Sequence, residues 1–339
     1  MNVFYSPRHA LHAPPFEIFD GGEKIASFET PQRAERILAA LQASGRHQIL
    51  PPADFGLAPI LAVHDPDYIE FLRTAFAEWQ QEATDYEKSA LLPATFPPTG
   101  WRHKPKTLLG KAGYYMSDLS APIVAGTFEA ALASAHCALS AAQDITVQKA
   151  AFALCRPPGH HAGRANCAGY CYINNAAVAA QWLSARGKTA VLDIDYHAGN
   201  GTQDIFYRRP DLLTTSIHAD PDFEYPYYSG YAQENGGGPG LGFHENFPLS
   251  IGSGDEQYFS ALEKAMTHLA EFGPDFLVVS AGMDICDADP LGRIHVSRAG
   301  IAAIGQKIAS LARPTAIVLE GGYNTEDLGL NMAAFLEAF

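Results

Sequence analysis

Residues Thr189 to Gln203 read TAVLDIDYHAGNGTQ. Alternate side chains of an extended strand share a face, so Asp193, Asp195 and His197 project to the same side. Two carboxylates and an imidazole converging at a strand end can hold a divalent cation, or can form a polar cap satisfied by backbone amides. Four other apolar runs also end in polar residues. Cys155 leads into Arg156-Pro-Pro-Gly-His160-His161, Ile217 into His218-Ala-Asp220, Ser280 into Ala-Gly-Met-Asp284, and Glu320 into Gly321-Gly322-Tyr323.

Roles follow from the residue types. Asp195, His197 and Asp284 would supply three ligands and leave positions open for water and substrate, as in a catalytic rather than a structural metal site. A metal there would polarise a carbonyl and activate water. Hydrolysis also needs a proton acceptor and a proton donor, which the paired His160 and His161 offer; as surface polar residues they would do neither. Tyr323 is either a core tyrosine or a phenol that donates to the oxyanion formed at an amide or ester carbonyl. Asp193 and Asn200 are natural partners for the two imidazoles, fixing tautomer and orientation.

These residues must be positioned by a sheet. The runs AAFALC, TAVLDI, LLTTSI, DFLVVS and TAIVLE alternate with helical stretches, which predicts βαβ units, a parallel sheet in an α/β fold, and ligands bound outside the carboxyl ends of the strands. Met1–Tyr5 reads as a further short strand. Helical spacing begins near Pro31 and carries Ile37, Leu38 and Leu41 inward; Arg36 is either solvated or turned in toward an anion. His64-Asp65-Pro66-Asp67 caps a helix with Tyr68, Ile69, Phe71 and Leu72 on its apolar face. Gln80 to Ser120 reads as a long irregular loop, with Pro93, Pro97, Pro98, Pro105, Phe96, Trp101 and Tyr114, and so as a lid, a binding loop or an oligomer contact. Gly126–Gln143 reads as an alanine-rich helix, started by Thr127 and Glu129.

Composition bounds the remaining readings. The chain has 339 residues, 47% of them hydrophobic, and no linker or composition break, so residues 1–339 are read as one domain. A formal charge of −14 disfavours nucleic acid and anionic membranes as partners. The amino terminus lacks the pattern of a signal peptide, and no apolar run is long enough to span a bilayer, from which a cytoplasmic location is expected. Cys137, Cys155, Cys167, Cys171 and Cys286 are odd in number and scattered, which predicts free structural thiols rather than disulfides or a zinc finger.

The motifs RPPGHHAG (156–163), GYCYINNAA (169–177), DIDYHAGNGTQDIFY (193–207), AGMDICDADPLG (281–292) and EGGY (320–323) resemble those of the zinc-dependent histone deacetylase superfamily, with bacterial acetylpolyamine amidohydrolases most alike. The likeness extends to the stretch near Pro31 and to VHDPDYIEFL near His64. It implies an arginase-deacetylase fold with a mainly parallel sheet of about eight strands, and one Zn2+ held by Asp195, His197 and Asp284. It further implies an acid/base pair, His160 backed by Asp193 and His161 backed by Asn200, and Tyr323 as oxyanion donor. Tyr170 and Tyr225 would line the acyl-amine channel. A K+ would sit near Asp193, Asp195, His197, Ser216 and Ile217. The chain also departs from the pattern. Ala198 stands where a second histidine is common, and Leu109 and Ser120 fall where the polyamine enzymes carry acidic groups; Asp118 and Glu129 are the nearest acidic substitutes.

The expected activity is therefore zinc-dependent hydrolysis of an acetylated amine, such as an acetylpolyamine or acetyl-lysine, to acetate and free amine. The same machinery turned to a neutral amide, a binuclear ureohydrolase and a non-catalytic binding module are the other readings. The resemblance also implies a homodimer in which the middle loop narrows each entrance.

Overall fold

The structure is a computed structural model that describes residues 1–82, 88–98 and 103–339. Its strands are β1 (Asn2–Phe4), β2 (Glu17–Phe19), β3 (Glu23–Ile25), β4 (Gln48–Leu50), β5 (Ala150–Ala153), β6 (Thr189–Asp193), β7 (Leu212–Ala219), β8 (His244–Leu249), β9 (Phe276–Ala281) and β10 (Thr315–Leu319). The helices are α1 (Pro31–Ser44), α2 (Ala58–Leu61), α3 (Pro66–Glu82), α4 (Leu108–Tyr115), α5 (Thr127–Asp144), α6 (Asn175–Ser184), α7 (Asn200–Phe206), α8 (Asp255–Phe272), α9 (Arg298–Ala309) and α10 (Leu328–Leu336).

Eight strands form one sheet in the order β4-β1-β5-β10-β9-β6-β7-β8, and each neighbouring pair is parallel. β5, β6, β7 and β10 are buried along their whole length, as expected of strands covered on both faces by helices. The edges are the two strands that the apolar pattern missed. β4 is three residues long, and β8 carries Pro248, which lacks an N–H for a second neighbour and so belongs at an edge.

After β5 the chain crosses to β6 and runs outward through β7 and β8. It then returns to place β9 and β10 in the gap between β6 and β5. The four central strands, β5, β10, β9 and β6, are therefore the ones followed by His160-His161, Tyr323, Asp284 and Asp195-His197. Side-chain chemistry dispersed over more than 160 residues is gathered along one sheet edge.

The helices follow their sequence signals. α1 starts with Pro31 and stops at Gly45, whose φ of 63° makes the left-handed cap; Ile37 and Leu41 are buried and Arg36 is exposed to solvent. α5 is buried along most of its length because alanine and serine allow close approach to α6 and β5. The stretch from 80 to 120 is not one irregular loop. α3 continues to Glu82, and Thr107 caps α4 by accepting from the Gly110 N–H. Trp101 lies outside the described residues. All five cysteines are free and buried. No described helix is long and apolar enough to cross a membrane.

One buried charge network ties α1 to the end of β10. Arg33, fully buried, donates from Nε to Gly322 O and from Nη2 to Glu320 O, both at 2.6 Å. Its Nη1 donates to Glu29 Oε1 at 2.9 Å, and Arg156 Nε stands 2.8 Å from the same oxygen. Removing a partner from a buried ion pair leaves uncompensated charge. Glu29→Gln, which strands two guanidinium groups, is expected to lower unfolding free energy by about 3–5 kcal/mol in urea titrations.

Candidate active site

The loop after β6 bends so that backbone amides hold the carboxylates in place. Asp195 N donates to Asp193 Oδ1 at 3.0 Å, His197 N to Asp195 Oδ1 at 2.9 Å, and Tyr196 N to Asp284 Oδ1 at 3.0 Å. Gly321 N donates to Asp195 Oδ2 at 2.7 Å. A side chain at Gly321 or Gly282 would collide with the carboxylates, since a Cβ at Gly321 would lie 2.2 Å from Asp284 Oδ2 and one at Gly282 2.0 Å from Asp195 Oδ2. These glycines are the price of packing two acidic side chains against backbone.

Asp195, His197 and Asp284 converge, each offering a ligand atom, with all three atoms within 4.8 Å of one another. His197 Nδ1 stands 3.3 Å from Asp195 Oδ1 and 3.2 Å from Asp284 Oδ2. Both carboxylates are fully buried, and Asp284 Oδ2 makes no hydrogen bond. Burial, followed by the charge of Asp195, pushes Asp284 up to about 7. Burial alone would lower His197, but the neighbouring carboxylates of Asp195 and Asp284 raise it to about 9. Asp284 Oδ2, buried and without a hydrogen bond beside the charge of Asp195, with an imidazole between the two carboxylates, fits a divalent metal ion.

The tandem histidines have opposite surroundings. His160 Nδ1 lies 3.0 Å from Asp193 Oδ2, and His161 Nδ1 lies 2.7 Å from Asn200 Oδ1. Burial opposes a charge on His160, yet Asp195 and Asp193 outweigh it and hold its pKa well above the usual histidine range. Burial pushes His161 well below that range, with the charges of His160 and His197 acting in the same direction. An amide oxygen only accepts, so His161 carries its proton on Nδ1 and leaves Nε2 as a free base. The rings sit 4.0 Å apart by centroid.

His161, His197, Tyr323, Tyr170 and Tyr225 all line one cavity of about 710 Å³. Tyr225 packs edge-on against His161 with centroids 4.9 Å apart, and Tyr170 packs on Tyr323 at 5.5 Å. Burial raises the Tyr323 phenol well above its ordinary pKa, although Arg33 beneath its ring opposes this, so the phenol keeps its proton and can donate. Ser216 is the register partner of Asp193 across β6 and β7, so these two residues of the expected K+ site lie side by side on neighbouring strands.

Sequence reasoning left several residues here unassigned. Arg33 and Asp289 fix the Tyr323 loop from behind, the latter by accepting from Tyr323 N at 2.7 Å and Asn324 N at 3.0 Å. Glu320 Oε2 accepts from Gly159 N at 2.7 Å and His160 N at 3.1 Å, orienting the histidine turn. Glu17, buried at the start of β2, accepts from the Tyr170 phenol at 3.1 Å and steadies a tyrosine held at φ 66°. None of these carries a local pattern that separates it from an ordinary surface charge. Of the acidic substitutes, Asp118 lines the cavity, whereas Glu129 is exposed on α5; Ser120 lines the cavity and Leu109 does not.

A parallel α/β sheet with this constellation at its carboxyl edge defines a hydrolase of the deacetylase type, and the comparisons agree. The histone deacetylase domain model matches residues 27–339, and the chain belongs to that family; it is a hydrolase acting on amide bonds. It is 43% identical to acetylpolyamine amidohydrolase 1 of Pseudomonas aeruginosa, covering 99% of this chain and 97% of that one. It is 42% identical to the acetylpolyamine amidohydrolase of Mycoplana ramosa, covering 99% of each. The crystal structure of the acetylpolyamine aminohydrolase from Burkholderia pseudomallei superposes with a TM-score of 0.96 at 40% identity, over 100% of this chain and 98% of that one. The central sheet and flanking helices are those of the arginase-deacetylase fold.

Metal ligands must lose their protons to bind. With His197 near 9 and Asp284 near 7 in the metal-free protein, cation affinity is expected to rise from pH 6 to pH 9. Zn2+ binding at pH 7 should release protons, read as a dependence of binding heat on buffer ionisation enthalpy; affinity independent of pH would exclude this ligand set.

Proposed function

We propose that this chain is a zinc-dependent deacetylase that frees acetate from a short acetylated amine of the acetylpolyamine or acetyl-lysine kind. The observation that carries the reading is that His161, its Nδ1 against Asn200 Oδ1, and the Tyr323 phenol line one cavity beside the Asp195–His197–Asp284 cluster. The relatives are acetylpolyamine amidohydrolases, which supports the substrate class.

When bound, the Zn2+ held by Asp195, His197 and Asp284 would polarise the acyl carbonyl and make water a better nucleophile. His161 takes a proton from the attacking water on Nε2 while Asn200 holds its Nδ1–H. Tyr323 donates its O–H to the oxygen that becomes negative as the carbonyl carbon turns tetrahedral. The imidazolium of His161, disfavoured by burial, then returns its proton to the amine nitrogen as the C–N bond breaks. His160, held cationic by Asp195 and Asp193, keeps its proton and lends positive charge to the site. Tyr170 and Tyr225 flank the methylene stem.

A K+ beside Asp193, Asp195, His197, Ser216 and Ile217 would brace the loop after β6, and a homodimer would place the segment around α4 at the partner's entrance. Met283 and Ile285 on either side of Asp284 are buried apolar groups, so they give a binuclear ureohydrolase no further ligands there. Ala198 is buried beside Gly230 and leaves the first coordination group untouched.

Acetate release from N-acetylputrescine and an acetyl-lysine peptide tests the assignment. Tyr323→Phe is expected to lower kcat by about a hundredfold or more with little change in KM, because its hydrogen bond strengthens only as the oxyanion forms. An unchanged kcat removes Tyr323 from the chemistry.

A further inference from the structure

The charges that line the cavity bear on which acetylated amine it accepts, an inference that rests on the deacetylase reading above. Among the described lining residues the carboxylates are Asp118 and Glu224, and the only Lys or Arg is Arg293. Asp118 is already engaged. Its Oδ2 accepts from the Tyr225 phenol at 2.8 Å and Gly169 N at 2.7 Å, and its Oδ1 accepts from Ser120 N at 3.0 Å. It serves the wall of the channel rather than a ligand. Glu224, directly before Tyr225 in the chain, is nearly buried and pairs with Arg293.

Arg293 lies in the loop that carries Asp284, just beyond Pro290 and Leu291, which also line the cavity. Its side chain is 57% exposed while His161 and Tyr323, in the same cavity, are almost fully buried, so Arg293 stands at the mouth. Nη2 donates to Phe223 O at 3.0 Å and faces Glu224, and the Tyr196 phenol lies against the side chain. A guanidinium has five N–H donors in a planar fork, and the solvent-facing edge suits a carboxylate. A bare ammonium arriving at the mouth would meet this cation.

We propose that Arg293 makes the enzyme select substrates whose far end carries a carboxylate, above all the α-amino-acid head of an Nω-acetylated amino acid. The head is a zwitterion. Its carboxylate takes the free edge of Arg293 and its ammonium takes Glu224, so every charge in the mouth keeps a partner. The acetamide then lies between His161 and Tyr323 with its methylenes between Tyr170 and Tyr225.

Four substrates with the same stem isolate the two charges. Nε-acetyl-lysine has both, N-acetylcadaverine lacks only the carboxylate, 6-acetamidohexanoate lacks only the ammonium, and N-pentylacetamide lacks both. With zinc-loaded enzyme, kcat/KM for acetyl-lysine is expected to exceed that for acetylcadaverine by about tenfold, the size of one partly exposed charge-assisted pair, chiefly through KM. Arg293→Ala should bring that ratio to about one, Arg293→Lys should retain most of it, and Glu224→Gln should penalise acetylcadaverine more than acetamidohexanoate. A ratio is insensitive to general loss of folded enzyme. A native ratio at or below one, or a ratio unmoved in Arg293→Ala, overturns the proposal. If none of the four is hydrolysed, the deacetylase reading fails and calorimetric binding of acetamidohexanoate and acetylcadaverine decides the selectivity: an Arg293-dependent preference for the carboxylate upholds it, and equal affinities refute it.

Discussion

Two carboxylates held beyond the reach of water, within hydrogen-bond distance of one imidazole, set the terms for the rest of this molecule. Asp195 and Asp284 repel one another in a medium that screens poorly, and an unpaired buried charge costs several kcal/mol. The structure answers with donors placed by backbone: the amides of Tyr196, His197 and Gly321 each point at one of these oxygens. What remains unsatisfied, Asp284 Oδ2, is the feature that makes the cluster hungry for a cation.

The same constraint explains the glycines and the buried network behind them. A loop can deliver amide donors to a carboxylate only by approaching it closely, which excludes a Cβ at Gly282 and Gly321. A loop that glycine-rich is floppy unless something else anchors it. Arg33, Glu29 and Arg156 provide that anchor by tying the carbonyls of Glu320 and Gly322 to α1 and to the segment before it. Tyr323 is thus positioned from below by a guanidinium and from the side by Asp289, leaving its phenol directed into the cavity.

Electrostatics also divides labour between two identical neighbours. His160 and His161 are adjacent in sequence and almost touching in space, yet the carboxylates of Asp195 and Asp193 keep one charged, while burial without a carboxylate behind it keeps the other neutral. Burial, with the neighbouring charge of His160 acting in the same direction, lowers the basicity of His161, so the tandem pair carries one positive charge rather than two. The cavity above them is walled by aromatic rings, and Arg293, paired with Glu224, stands toward its mouth, where solvent begins.

Much of this was legible in the chain itself. Apolar runs with abrupt polar ends located β5, β6, β7, β9 and β10, because a strand covered on both faces has no polar positions until it leaves the sheet. The types and order of Asp193, Asp195, His197, Asn200, His160, His161, Asp284 and Tyr323 pointed to metal-assisted hydrolysis, since few other chemistries need that set. Edge strands β4 and β8 were not legible, being short or interrupted by proline. α4 was hidden among prolines that mark loop as readily as they flank a helix. Arg33, Glu29, Glu17, Asp289 and Glu320 could not be singled out, because an isolated charge in sequence looks the same whether it ends in water or in the core. The sequence by itself determined the inner strands of the central sheet and the polar residues that follow each strand end. Only the tertiary structure decided that four distant strand ends lie side by side, which of two histidines is neutral, and which charges face the substrate; those depend on burial and on partners far away along the chain.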